Sequence, residues 1–323
     1  MTSKRLISVL GVLCLVWGVP QAQAQSFPNK PIRMIVGYAP GGGSDIMGRM
    51  IAPYITEAMG QPVVVENRPG AAQNVAAEHI MKQPSDGYTL FMSSAALGVN
   101  VSLYAKLNYD PVKDFDPVAV FATSPNLLLV HPSFPARNVE EFVAVVKKNP
   151  GKFNYSSSGT GSTQHLSGEM LKLMINTDII HVAYKGTSPS LTALAGGEVN
   201  FSFSNIPAAQ PLLKAGKFRA IGITSAKRSS LMPELQTMIE GGLPGFLTQT
   251  WYGLLAPAGT PRPVINALNA VVVKAVQKEE LRTKLAQLGA DPIAESPEFF
   301  QKFLLEEIER WGKVVKAAKL KVE

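Results

Sequence analysis

The chain reads as an α/β protein of two lobes, with largely parallel sheets and two strands crossing between the lobes. Three observations carry this reading. From Pro31 onward, short apolar runs alternate with helical segments, the pattern of parallel strands joined by helical connections. The chain changes lobes near Pro125 and again at Trp251–Leu255, and two crossings imply a hinge and a cleft. The single cysteine, Cys14, lies in an N-terminal apolar run. A chain near three hundred residues must then rely on core burial without disulfides, most economically as two lobes. Residues 26–125 with 251–323 are expected to form lobe 1, and residues 126–250 lobe 2.

The elements follow in order. Ile32–Gly37 is a buried strand, and a glycine-rich turn leads into a helix over Asp45–Met59. Met47, Met50, Ile51, Tyr54, Ile55 and Ala58 line one face of that helix, and Gly60 stands at its C-terminal cap. Val63–Glu66 is a second strand, Asn74–Lys82 a short helix and Tyr88–Ser93 a third strand. Past Pro125 come a strand at Asn126–Val130 and a helix that Asn138 caps, with Glu141 at the capping-box position. Strands at Phe153–Ser156, Ile179–Val182, Val199–Phe203 and Arg219–Thr224 then alternate with helices at Thr163–Met174, Ser190–Ala195 and Pro207–Lys214. After the second crossing the tail is helical: Pro263–Gln277, Glu279–Leu288 and Pro297–Lys316, packed back on lobe 1.

The N-terminus indicates a compartment. Lys4 and Arg5 precede the apolar run Leu6–Val19, Pro20 ends it, and Ala22-Gln23-Ala24 supplies small residues for cleavage. This predicts a signal peptide over residues 1–24, removed near Ala24, and a periplasmic mature chain. The run is short for a membrane span. The formal charge of +7 falls to +5 when Lys4 and Arg5 leave. The basic residues are scattered and not interleaved with aromatics, which argues against a nucleic-acid partner. A mildly positive surface suits an anionic solute by weak steering.

The strongest local feature is Tyr38-Ala39-Pro40-Gly41-Gly42-Gly43-Ser44-Asp45, between a strand and a helix. Successive glycines let the backbone bare its N–H groups, and the helix start adds unpaired donors and a positive dipole end. The ending is not that of a nucleotide P-loop, nor is the spacing that of a dinucleotide site. A plain tight turn capped by Ser44 or Asp45 is the competing reading. Ser158-Gly159-Thr160-Gly161-Ser162-Thr163 repeats the device in the second half, where a flexible polar loop is the alternative. One loop per lobe would let an acid tie the lobes together. Gln73, Asn74, Ser93, Ser94, Lys185, Gly186, Ser204 and Asn205 are further cleft candidates. Replacing Gly42 by proline, which lacks an N–H, should cripple such a cradle.

Enzymatic chemistry is poorly supported. No Gly-x-Ser-x-Gly elbow is present, and His79, His131, His165 and His181 form no metal-ligand spacing. His165 beside a hydroxyl-rich loop is the one candidate general base, for a secreted hydrolase or isomerase. No catalytic residue, metal or cofactor is expected.

Motifs in order along the chain carry a resemblance. Val36-Gly37-Tyr38-Ala39-Pro40-Gly41-Gly42-Gly43-Ser44-Asp45, Val65-Glu66-Asn67-Arg68-Pro69-Gly70-Ala71, Ser85-Asp86-Gly87-Tyr88-Thr89-Leu90 and Asp110-Pro111-Val112-Lys113-Asp114-Phe115 are followed by Gly159–Leu166, Tyr184-Lys185-Gly186 and Trp251-Tyr252-Gly253. Together they resemble the Bug/TctC family, extracytoplasmic solute receptors of tripartite tricarboxylate transporters. The resemblance implies a type II periplasmic-binding-protein fold, a Venus flytrap. It also implies a small carboxylate ligand and delivery to membrane transporter subunits, or alternatively service to a signalling partner. A monomer is expected. The family's first loop holds a ligand carboxylate through backbone amides, which maps onto Tyr38, Ala39, Gly42, Gly43, Ser44 and Asp45. The loop Ser158–Thr163, with Ser204 and Asn205 nearby, would set the distal end. Two departures touch the cleft: Ala72-Gln73-Asn74 stands where the family continues with glycines, and Asn205 where an aspartate is common. Ligand identity therefore stays open among di- and tricarboxylates, amino acids and aromatic acids, and an uncharged solute is the further alternative.

Overall fold

The computed structural model describes residues 27–322; the expected signal peptide lies outside the described residues. The elements of the first half are β1 (Ile32–Val36), α1 (Gly43–Met59), β2 (Val63–Asn67), α2 (Asn74–Ile80), β3 (Thr89–Ser94), α3 (Ala96–Leu103) and β4 (Phe115–Val130). Then come α4 (Val139–Lys147), β5 (Asn154–Ser157), α5 (Thr163–Ile175), β6 (Ile180–Ala183), α6 (Thr187–Ala195), β7 (Phe201–Asn205), α7 (Ile206–Lys214) and β8 (Arg219–Ile223). The chain closes with β9 (Gln249–Pro257), α8 (Arg262–Gln277), α9 (Glu279–Gln287), β10 (Asp291–Pro292) and α10 (Pro297–Ala317).

Strand order is β2-β1-β3-β9-β4-β7-β5-β6. The flanks are parallel, as β1 pairs in parallel with β2 and β3, and β5 with β6 and β7. The centre is antiparallel, a departure from the expected largely parallel sheets. The cause is the crossing itself. β4 runs 16 residues, pairing β9 over Phe115–Pro125 and β7 over Asn126–Val130. Pro125 stands opposite Gln249, so the two passages between lobes lie side by side.

Two elements differ from the sequence reading. The first half of β4 contains Pro117 and ends at Pro125, residues that argue against an interior strand. Register shifts at Pro117/Ala119 and Val120/Ala122 absorb the irregularity. Helix α3 is apolar nearly all round and mostly buried, so it lacks the one-sided periodicity by which a surface helix is read. At α4, Asn138 caps as expected, accepting from the Glu141 N–H at 2.8 Å. The returning Glu141 carboxylate takes the N–H of Arg137 (2.7 Å).

The apolar cores separate by lobe. One cluster joins Ile32, Met47, Leu90 and Phe121 to Leu254, Leu268 and Leu285, packing α1 and α8 on one sheet. Another joins Leu128, Phe142, Tyr155, Phe201 and Phe246. A small cluster spans both halves, where Leu166 of α5 meets Val99, Leu103, Trp311 and Val315.

Candidate functional site

The first loop is held by Asp45. Its carboxylate accepts from the Gly41 N–H (2.9 Å), Arg49 Nε (3.0 Å) and Asn67 Nδ2 (2.9 Å), and Asn67 Nδ2 also donates to Tyr38 O (3.0 Å). Burial works to raise the Asp45 pKa, but the Arg49 guanidinium and the two N–H donors hold it below the ordinary carboxylate value. Asp45 is thus a brace for the loop, and its carboxylate is fully engaged. The Gly42 N–H turns back on Ala39 O at 3.4 Å. Helix α1 starts with Gly42 as a cap that supplies no side chain, and its first helical bond is Ile46 N–H to Gly42 O (3.0 Å). Gly43, Ser44 and Asp45 therefore keep N–H groups with no acceptor among the described residues. Of the amides expected to form the cradle, those of Gly43, Ser44 and Asp45 are free and that of Gly42 is engaged. Gly42 also has φ −78°, which proline adopts readily, so Gly42→Pro is a poor test of the cradle.

The second loop departs further from expectation. The Gly159 N–H donates to Ser157 Oγ (3.2 Å), Ser162 N–H to Gly159 O (3.0 Å) and Gly161 N–H to His165 Nδ1 (3.2 Å). Ser162 caps α5 by accepting from the His165 N–H at 3.2 Å. These amides serve their own loop, while those of Thr160, Thr163 and Gln164 keep no acceptor among the described residues. The uncapped helix start on this side is that of α6, where Gly186 supplies no side-chain cap and Ser190 N–H reaches Gly186 O at 3.4 Å. Residue 189 is proline, so Thr187 and Ser188 are the available donors. A β-carbon on Gly42 would lie 3.8 Å from Thr187 N, and one on Gly41 would lie 3.5 Å from Ser188 Oγ. Two uncapped helix N-termini, α1 from one lobe and α6 from the other, meet across the seam.

Between them lies a cavity of about 20 Å³, on the scale of a single water. Tyr38, Gly43, Ser44 and Ser94 face Ser158, Thr163, Gln164, Thr187 and Asn205, with Thr250 and Tyr252 from the crossing strand. No ionised side chain is among them. A second cavity of about 200 Å³ shares Tyr38 and Ser158 and adds Ala71, Ala72, Tyr104, Gly159, Thr160 and Lys185. A larger groove of about 650 Å³ runs between α1, α7 and α9, lined by Met50, Leu213 and Lys284. It shows no comparable convergence of donors.

The remaining candidates support the walls. Gln73 Nε2 donates to Ser94 O (3.0 Å), and Ser93 Oγ donates to Gln73 Oε1 (3.4 Å). Asn74 Oδ1 accepts from Asn100 Nδ2 (2.6 Å) and the Tyr109 hydroxyl (2.7 Å). Ser204 Oγ donates to Asn205 O at 3.2 Å. Ala71, Ala72 and Gln73 have φ of 45°, 46° and 70°, a left-handed stretch that L-residues adopt at a cost. This stretch overlaps Ala72-Gln73-Asn74, where the resemblance implies glycines. Gln164, Thr187, Thr250 and Tyr252 were missed as lining residues. Thr187 and Tyr252 lay within reach of motifs already noted, Tyr184-Lys185-Gly186 and Trp251-Tyr252-Gly253.

The histidine chemistry is structural. His165 Nδ1 accepts from Gly161 N–H, so its neighbour stabilises the neutral ring, and burial pushes its pKa down to about 4. The His181 ring lies tilted with its centroid 4.3 Å from that of His165, and its Nε2 lies 2.7 Å from Ser157 Oγ. Burial, then the neighbouring His165, lowers His181 to about 3. No serine hydroxyl bonds to a His165 ring nitrogen among the described residues.

The profile of the tripartite tricarboxylate transporter family receptor matches residues 47–320. The chain belongs to that receptor family. BugT of Bordetella pertussis is 34% identical over 99% of this chain and 100% of its own. Among solved structures, the R. palustris protein Rpa4515 with adipate is 37% identical at TM-score 0.90, covering 92% of this chain and 100% of that one. MatC from Rhodopseudomonas palustris with bound malate is 36% identical at TM-score 0.85, over 90% and 100%. Receptors of this family are periplasmic solute-binding proteins, and the fold and the solute-binding role of this chain follow from that membership. Among the described residues no helix is long and apolar enough to cross a membrane.

Proposed function

We propose that this receptor closes on a small carboxylate and passes it, as a periplasmic monomer, to membrane subunits of a tripartite tricarboxylate-type transporter. One observation carries the ligand class: the uncapped starts of α1 and α6 face each other around a cavity lined without charge. Two positive dipole ends brought together repel unless an anion lies between them. A carboxylate there converts that repulsion into attraction in the closed form alone, which is the differential contact that ligand-driven closure needs. The adipate and malate of two similar receptors support this chemistry. The first cavity is too small for a metabolite as closed, so the lobes part to admit it. The hinge lies at Pro125 and Gln249, with residues 26–125 and 251–323 forming one lobe and 126–250 the other. The body of the acid extends toward the second cavity, where Lys185 favours a further negative group.

A thermal-shift and calorimetry panel tests this, pairing adipate, malate, tricarboxylates, aromatic acids and amino acids with their neutral amides. At a hundredfold excess over Kd, a true ligand adds about 2.7 kcal/mol, a rise of a few degrees. The amide of the same acid should give no shift. Equal binding of acid and amide, or no binding by any acid, overturns the proposal.

A further inference from the structure

We infer that Tyr252 is a specificity-determining residue of the carboxylate site proposed above, its hydroxyl donating to a ligand oxygen beside the α1 amides. The inference rests on that proposal and extends it to a side chain on the crossing strand. Tyr252 pairs with Ser94 on β3 and Ala122 on β4, and its ring belongs to the lobe 1 core. The residue is 1% exposed, yet its hydroxyl has no hydrogen-bond partner. A buried hydroxyl without a partner bears the full desolvation penalty, and most buried polar groups avoid it. This one is aimed at the cavity: a β-carbon on Gly43 would lie 2.5 Å from it and 2.5 Å from Asn205 Oδ1. The hydroxyl therefore stands beside the free N–H of Gly43, where an oxyanion held by α1 would come to rest.

Its surroundings settle what it can offer. Asn205 Oδ1 accepts from the Ala208 N–H (3.2 Å), and no carboxylate lines the cavity. Burial raises the Tyr252 pKa far above that of a free phenol, so it stays a neutral donor at any working pH. A neutral donor fixed in a packed wall rewards an oxygen at one point and does little for a methyl or amide N–H placed there.

Tyr252→Phe tests this with two readouts expected to diverge. The free variant should melt at the same temperature as wild type or above it, since the deleted hydroxyl satisfies nothing in the protein. Its Kd for the acid giving the largest wild-type shift in the panel of adipate, malate and the other acids should rise about tenfold to a hundredfold, the range for a bond to a charged acceptor. Discrimination between that acid and its amide should shrink in step. Wild-type binding with an unchanged Kd in the variant overturns the inference and leaves the carboxylate reading standing. A lowered melting temperature of the free variant would assign the hydroxyl a structural role and also overturn it. Absence of carboxylate binding by the wild type removes both.

Discussion

Gly43 and Asn205 meet across the seam between the lobes, so closely that a β-carbon at residue 43 would lie 2.5 Å from Asn205 Oδ1. Gly43 opens α1, where alanine is locally at least as good as glycine. The obstruction of Gly43→Ala falls on Asn205 in the closed form, and also on the Tyr252 hydroxyl, 2.5 Å from the same β-carbon, within lobe 1 itself. Overpacking of this kind costs about 1–3 kcal/mol, equivalent to a roughly 5- to 150-fold rise in Kd. Calorimetry should show that loss, and the melting temperature of the free protein should fall as well, because the buried Tyr252 must give way in either form.

Ligand affinity should be nearly independent of pH between about 6 and 9. No ionised side chain lines the first cavity, burial pushes Tyr38 up to about 12, and His165 and His181 stay neutral behind the wall. A dicarboxylate's own groups are ionised across that range. Titrations at several pH values should give Kd values within about threefold of one another.

Stability, in contrast, should fall in mild acid. The His165 ring titrates at about 4 when folded and near 6.5 when unfolded. Between those values the unfolded chain binds the proton and the native one does not, so stability drops as pH falls from about 6.5 toward 4. For His165, which is 4% exposed, the loss approaches about 3 kcal/mol, and His181 adds to it in the same direction. Urea melts at pH 7 and pH 4.5 measure the difference, and His165→Gln should shrink it, leaving the part that His181 contributes.

Asp45→Asn should lower stability at neutral pH by about 1–2 kcal/mol, since charge-assisted bonds to Gly41 N–H and Arg49 become weak or unfavourable. Because the folded Asp45 pKa is depressed, its contribution is present above the ordinary carboxylate range and disappears as pH falls through the depressed value. The gap between variant and wild type in denaturant melts should therefore narrow in strong acid.

Ala71→Gly should stabilise the free protein by about 1 kcal/mol. Ala71 is exposed and has φ 45°, a left-handed conformation that a β-carbon resists and glycine accepts. The gain exceeds the entropy glycine adds to the unfolded chain. Differential scanning calorimetry reads this directly.

The α/β alternation, the strands near residues 125 and 250 and the cap at Asn138 were legible because each is a local pattern. A strand–glycine loop–helix junction also announced the α1 cradle. Helix α3 and the first half of β4 were not legible. An all-round apolar helix has no periodic face, and the prolines of β4 are tolerated only through bulges that its partner strand makes possible. Glycines, hydroxyls and a helix start pointed to the Ser158–Thr163 loop as the second anion donor. The Ser162 cap and the bonds to Ser157 and His165 occupy the Gly159 and Gly161 amides and that of His165, and leave those of Thr160 and Thr163 without an acceptor among the described residues.

By itself the sequence determined the fold class, the family and the glycine loop that opens α1, since chain order and local backbone chemistry suffice for these. Only the tertiary structure decided that α6 supplies the opposing helix start and that Tyr252 points an unpartnered hydroxyl into the cavity. Whether a donor is free depends on what else lies within about 3 Å of it, and residues far apart in the chain decide that.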